Sequence, residues 1–328
     1  MVGRALLALA ALVAGTALVL WIGAATSLDR ELRHSRAAAA LPGFAPSAEL
    51  ALVQIAAGGQ RFRARVAGFG GARGNLVLLH GFPETSAMWI PLVRAAAASG
   101  YQVVAFDQRG YSPGARPEGP AAYTFDALVG DVFEVADAVG FERFHLVGHD
   151  WGAAVGWMLV LRQPERVRSW TALSIPHLRA FASAVRTDPV QRRRSSYVAV
   201  FRLPWLPEQL FAFADFGLLR RAMYRHHAPE AVDEYLAVFA EPGALTAALD
   251  WYRAPEPFGF EVTEPEVSLP VLTVWGNRDP AVGRAGVEGQ GQYMTGPFRH
   301  LELDTGHWLM ETETEAVVEA VLEHLAGA

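Results

Sequence analysis

Residues 148–152 read Gly-His-Asp-Trp-Gly, directly after the apolar run Phe144-His-Leu-Val147. A strand that ends in Gly-X-nucleophile-X-Gly and passes into a helix makes a sharp turn that lifts one side chain above the edge of a sheet. Here the raised residue is Asp150, a carboxylate where the common form of this turn carries a hydroxyl. A carboxylate can displace a leaving group at saturated carbon without a base to activate it, and the product is an ester of its own side chain. Releasing that ester requires water, a histidine as general base and a second carboxylate to orient the histidine. Gly276-Asn-Arg-Asp279 and Gly306-His307 each follow a later strand-like run, in the chain order nucleophile, acid, histidine. The three converge if their strands are neighbours. An Asp in such a turn is otherwise an ordinary turn or cap residue, and the ordered spacing of its partners separates the two readings.

Those side chains need a sheet to hold them. The runs 76–79, 102–106 and 144–147 are short and mainly apolar, the pattern of parallel strands buried on both faces. Residues 124–139 carry Phe125, Leu128, Val129, Val132, Ala136 and Val139 at helical spacing behind a Thr cap. Alternating strands and helices predict an α/β fold, a mostly parallel sheet flanked by helices. Ahead of it, 50–55 and 61–66 with Gly58-Gly59 between them predict a hairpin whose second strand alternates Arg with apolar residues and has one wet face. From 176 to 257 the sequence is helix-like, aromatic and punctuated by proline, which predicts an inserted helical lid. Strand signals resume at 271–275 and 300–303, and a last helix is expected over 313–325. The division is 1–28, an N-terminal hydrophobic segment; 29–46, a linker; 47–175, the first part of the core; 176–257, the lid; and 258–328, the second part.

Through these motifs roughly residues 50–326 resemble the epoxide hydrolases of the α/β-hydrolase fold, and in particular those with an N-terminal membrane segment. The resemblance places Asp150 on the family's nucleophile, Asp279 on the acid that orients the base, and His307, followed by Trp308, on the general base. His80-Gly-Phe-Pro-Glu84 matches the oxyanion loop, which implies Phe82 and Trp151 as backbone donors. Ser195-Ser-Tyr197 and Trp251-Tyr252-Arg253 resemble the segments that carry two lid tyrosines, so Tyr197 and Tyr252 are the implied donors to the epoxide oxygen. Phe82, Trp151, Phe201 and Trp308 are the implied substrate contacts. Met158 and Trp205 read equally as pocket lining or as packing. The remaining histidines, His80, His145, His149, His226 and His227 among them, read as structural or exposed. The implied reaction is hydrolysis of an epoxide to a vicinal diol, with water as the second substrate, through an aspartyl ester and with no cofactor. Thr85-Ser-Ala87, Arg202 after Phe201 and the 107–114 loop depart from the family's usual residues and leave the substrate open.

A haloalkane dehalogenase shares the Asp nucleophile and the Trp after it, but needs a second halide donor, often Asn where Phe82 stands. A serine esterase lacks its hydroxyl here. A silent ligand-binding protein on the same scaffold has no need of both Asp279 and His307.

Composition narrows the setting. At 328 residues and 52% apolar, the chain can bury a large core. A net charge of −6 argues against a nucleic-acid partner. The Arg192-Arg193-Arg194 run reads as a solvated helix face. There is no cysteine, hence no thiolate metal site, and no His-Glu-X-X-His zinc motif. Residues 5–28 are uncharged, a length of about 36 Å as a helix, enough to cross a bilayer. A single-pass N-terminal anchor is therefore expected. The alternative is a signal peptide cleaved near Gly23-Ala-Ala25, with secretion of the remainder. The substrate expected beside a membrane is a lipophilic epoxide.

Overall fold

The computed structural model describes residues 13–21, 41–255 and 266–328. Most of the expected N-terminal segment and linker, and the junction around 257, lie outside the described residues. Residues 13–21 are helical, and among the described residues no helix is long and apolar enough to cross a membrane.

Eight strands form one sheet: β1 (Ala51–Ala57), β2 (Gln60–Ala67), β3 (Gly74–Leu79), β4 (Tyr101–Phe106), β5 (Phe144–His149), β6 (Val167–Leu173), β7 (Val271–Gly276) and β8 (Phe298–Leu303). Their order is β1-β2-β4-β3-β5-β6-β7-β8. The β1–β2 hairpin and its junction with β4 are antiparallel, and every other pairing is parallel. Strand β5 is buried throughout and β3 over residues 76–79, as their mainly apolar sequences require. The helix Phe125–Ala138 buries Phe125, Leu128, Val129, Val132 and Ala136, the face set by its spacing. Thr124 stands at its N-cap with extended backbone, but its side chain makes no capping hydrogen bond.

Strand β6 was not legible in the sequence. Its residues Val-Arg-Ser-Trp-Thr-Ala-Leu mix polar and apolar types, yet all but Arg168 are buried. Ser169 is accommodated because its hydroxyl meets His145 Nδ1 at 2.8 Å. Burial lowers the pKa of His145 to about 4, so the ring stays neutral and serves as a structural partner.

The expectation of a wet face on β2 fails. Arg63 and Arg65 are both buried. Arg63 pairs with Asp107 at 2.9 Å and with Glu234 at 2.6 Å, while Arg65 reaches Glu234 at 2.5 Å and Ser86 Oγ at 2.6 Å. An alternating Arg pattern signals water only when no carboxylate is brought in from elsewhere, and Glu234 comes from a helix far along the chain. That helix, Pro229–Phe239, belongs to the run of helices from Leu178–Thr187 to Ala244–Arg253 that leaves the sheet after β6 and returns to β7. Further ties join this insertion to the core: Tyr224 Oη donates to Pro83 O at 2.5 Å, and Trp251 Nε1 donates to Arg109 O at 3.0 Å. The helix Leu206–Ala222 is broken inside, with Ala214, Asp215 and Phe216 at positive φ.

Removing one member of a buried ion cluster strands the charges left behind. Glu234 is about a quarter exposed, so Glu234→Ala is expected to lower folding stability by about 2–3 kcal/mol, read as a drop in the urea midpoint. An unchanged midpoint would show that the two arginines are satisfied without it.

Candidate active site

Asp150 is the first residue after β5 and the N-cap of the helix Trp151–Arg162. Its backbone lies at φ 51°, ψ −121°, a conformation that costs a non-glycine residue on the order of 1–3 kcal/mol. The turn closes because Gly152 has no side chain: a Cβ there would sit 2.2 Å from Leu79 O on β3. The result is a buried carboxylate above the sheet, at a helix N-terminus, where partial positive charge favours the anion. Phe82 N–H donates to Asp150 Oδ1 at 2.9 Å. The loop carrying Phe82 is fixed by His80. Burial lowers the pKa of that imidazole, and the neutral ring accepts from Gln108 N–H through Nε2 at 3.0 Å while Nδ1 donates to Gly81 O at 2.9 Å.

The three residues do converge, but not because their strands are neighbours. Strand β6 separates β5 from β7, and β8 lies one strand further out. The loop after β8 crosses back over the strand ends. Gly276 makes room for it, since a Cβ there would lie 2.1 Å from Gly306 O. Arg278 N–H donates to Thr305 O at 2.9 Å, and His307 O accepts from Ser174 Oγ at 3.1 Å and from His149 Nε2 at 3.0 Å. His307 Nε2 therefore faces Asp150 Oδ2 at 3.4 Å, and Nδ1 meets Asp279 Oδ2 at 2.7 Å. The other Asp279 oxygen accepts from Ala281 N–H at 2.7 Å and Val282 N–H at 3.0 Å. Arg194 departs from the expected solvated face: its Nη1 donates to Asp279 O at 2.5 Å and Val282 O at 2.7 Å, pinning the loop that holds Asp279.

The electrostatics follow from this packing. Burial alone would lower the pKa of His307, but the Asp279 and Asp150 carboxylates outweigh it and hold the imidazole well above its ordinary value. Burial alone would raise the pKa of Asp150, and His307 with the Phe82 N–H outweighs it and holds the carboxyl below its ordinary value. The charged form of the imidazole is favoured by the carboxyl groups on either side of it, Asp150 and Asp279.

Asp150 and His307 border a cavity of about 360 Å³, otherwise walled by apolar and aromatic side chains that include Phe82, Phe201, Trp308 and Met223. Tyr197 and Tyr252 line it as well, with ring centroids 6.3 Å apart. Burial and the Asp150 charge push the pKa of Tyr197 above its ordinary value, and burial, Tyr197 and Asp150 push Tyr252 well above it, so both phenols keep their protons. Trp151 stands behind Tyr252, edge to face at 5.0 Å, and is not among the residues that line the cavity. Met158 is buried in the helix after the turn, and Trp205 is exposed on the insertion.

A buried chain of polar groups behind His307 was not singled out in the sequence, although two of its members lie inside quoted motifs. Glu84 faces His149 Nδ1 at 3.2 Å and His227 Nε2 at 3.0 Å. Burial would raise its pKa, but the two histidines hold it well below the carboxylate range. Glu311 is held well above that range by burial and by Glu84, so it carries a proton. One ligand atom each from Glu84, His227 and Glu311 lie within 4.8 Å of one another. His149 joins this chain to the His307 backbone. The signal for it was the carboxylate and imidazole at fixed places beside the nucleophile turn and the oxyanion loop.

Residues 74–314 match the family model for the α/β-hydrolase fold. The chain is 33% identical over 257 residues to the AB hydrolase superfamily protein YfhM of Bacillus subtilis, covering 76% of this chain and 89% of that protein. It is 31% identical over 277 residues to human epoxide hydrolase 4, covering 81% and 75% of the two chains. A solved variant of an epoxide hydrolase from Bacillus megaterium superposes with a TM-score of 0.76 at 26% identity, over 83% of this chain and 99% of the other.

Because Asp150 supports the charge of His307, removing that carboxylate is expected to lower the imidazole's titration midpoint. Ring-nitrogen NMR on wild type and Asp150→Ala measures it: His307 should remain protonated through neutral pH in wild type and lose its proton at lower pH in the variant. Equal midpoints would remove the coupling.

Proposed function

The chain belongs to the epoxide hydrolases of the α/β-hydrolase fold and is a hydrolase, and from that membership we propose that it opens epoxides to vicinal diols in two half-reactions on Asp150. The observation that carries the proposal is the division of labour between the two carboxylate oxygens, one held by the Phe82 N–H and the other free towards His307 and the cavity.

In the first half-reaction Asp150 Oδ2 attacks an epoxide carbon, the carbon–oxygen bond of the ring breaks, and the departing oxygen takes a proton. Tyr197 and Tyr252 donate hydrogen bonds to that oxygen, help worth on the order of 10²–10⁴ in rate. The product is a hydroxyalkyl ester. In the second, His307 removes a proton from water, whose oxygen adds to the ester carbonyl carbon. Negative charge develops on Oδ1, which already sits on the Phe82 N–H, with the Trp151 N–H as the second donor. The tetrahedral carbon collapses, the bond to Oδ2 breaks, and that oxygen takes the remaining proton of the added water, so the diol leaves and Asp150 is again a carboxylate with His307 protonated.

Charge couples the halves. Esterification removes the Asp150 charge, which is one of the two supports that keep His307 protonated. The imidazole then releases a proton and becomes a base at the point where one is needed. The proton released balances the one taken up by the epoxide oxygen.

The helical insertion acts as the lid that carries the two phenols, and its apolar walls suit a lipophilic epoxide. A dehalogenase would have little use for two proton donors over the nucleophile, because halide leaves as an anion. Residues 5–28 act as an anchor, which alkaline extraction of membranes tests: the full chain should stay in the pellet, and its release would remove the anchor.

Tyr197→Phe and Tyr252→Phe are each expected to lower epoxide turnover by roughly 10–10³-fold, and by more together, with folding little changed. A panel of styrene oxide, long-chain epoxides, haloalkanes and p-nitrophenyl esters provides the control. Wild-type turnover by the double variant, or a preference of the wild type for haloalkanes, would overturn the assignment.

A further inference from the structure

The first half of the insertion carries a charge opposite to that of the whole chain. Residues 176–225 hold nine arginines against Asp188, Glu208 and Asp215, a net +6 in a chain whose net charge is −6. Arg192, Arg193, Arg202, Arg221 and Arg225 are exposed. Apolar side chains are exposed on the same stretch. Ten large hydrophobic side chains are exposed among the described residues: four in the helix 13–21, five at Val190, Val200, Leu203, Trp205 and Leu218, and one at Phe298. Scattered single exposures need no explanation, but concentration on one basic segment does.

Local structure keeps Trp205 of this segment at the surface. Trp205 is held at φ 67°, a conformation strained for a non-glycine residue, between Pro204 and Pro207, and its side chain is 48% exposed. The face also borders the cavity mouth. The helices Tyr197–Phe201 and Leu206–Ala222 are joined by the Phe201–Phe211 ring pair at 5.2 Å, and Leu218 and Ala222, both exposed, line the same cavity as Asp150.

We propose that this face docks on an anionic lipid surface. Trp205, Leu203 and Val200 seat in the headgroup boundary, where an amphipathic ring with an apolar body is favoured, and the exposed arginines meet lipid phosphates. The cavity mouth then opens towards the bilayer, so that an epoxide dissolved in lipid enters without crossing water. Docking is independent of the residues 5–28 and of the reaction, whereas delivery of substrate rests on the epoxide-hydrolysing reading.

Hydrogen–deuterium exchange of the full chain tests it, with vesicles of phosphatidylcholine alone and with phosphatidylglycerol added. Peptides spanning 197–206 and 216–225 should be protected on the anionic vesicles only, and the protection should vanish in about 1 M salt, where charge is screened beyond about 3 Å. The double variant Arg193→Glu with Arg225→Glu, and separately Trp205→Ala, should abolish that protection. Both should keep turnover of a water-soluble epoxide while raising the apparent KM for a vesicle-borne long-chain epoxide on the order of 10-fold. Equal exchange on both vesicle types, no protection on either, or protection that rises with protein concentration without lipid, as a second copy would give, overturns the docking. Protection with no epoxide turned over in any form would leave docking standing and remove the hydrolase reading.

Discussion

A carboxylate cannot stay ionised inside a protein unless its charge is answered, and Asp150 is buried. The answer comes from three directions: a helix N-terminus below, the Phe82 N–H on one oxygen and His307 on the other. Each partner imposes its own demand. The N-terminus requires the strained turn after β5 and the bare approach of Gly152 to β3. The amide requires a rigid loop, which a neutral His80 supplies. The imidazole requires Asp279, and Asp279 requires a loop held by two backbone amides and by Arg194.

The same charge balance explains why the residues that support the site outnumber those that react. His307 must reach across β7 and β6, so its loop is tied by Ser174, His149 and the close approach at Gly276. The insertion brings Tyr197 and Tyr252 to the cavity that Asp150 borders, and it is locked to the core by Glu234 between Arg63 and Arg65 and by His227 on Glu84. Burial of so much charge is tolerable only because nearly every member is paired. The cavity itself stays apolar, which strengthens every interaction aimed into it.

What the sequence revealed tracked what is local. The nucleophile turn, the apolar parallel strands and the helix over Phe125–Ala138 depend on neighbours a few residues away, and their patterns are clean. Asp150, Asp279 and His307 were legible because chain order and position after strands survive without coordinates. The two phenols were reachable only through family resemblance, since nothing in their own spacing aims them at Asp150. Strand β6 was hidden by buried Ser169 and Thr171, and the wet face expected on β2 was reversed by a carboxylate some 170 residues downstream. Polar residues whose partners are distant in sequence leave no local sign of them, which is why the 192–194 arginine run reads as solvated although Arg194 holds the Asp279 loop. His149 and His227, by contrast, prove to be structural partners of Glu84.

The central claim is that attack and release depend on different residues, and one measurement addresses it directly. Replacing His307 by Gln removes the base and leaves Asp150 in place, so incubation with an epoxide that the wild type turns over should yield protein heavier by one epoxide molecule. Mass spectrometry of the tryptic peptide 144–162 should place the added mass on Asp150. Protein of unmodified mass, or the addition on any other residue, would contradict the two-step account.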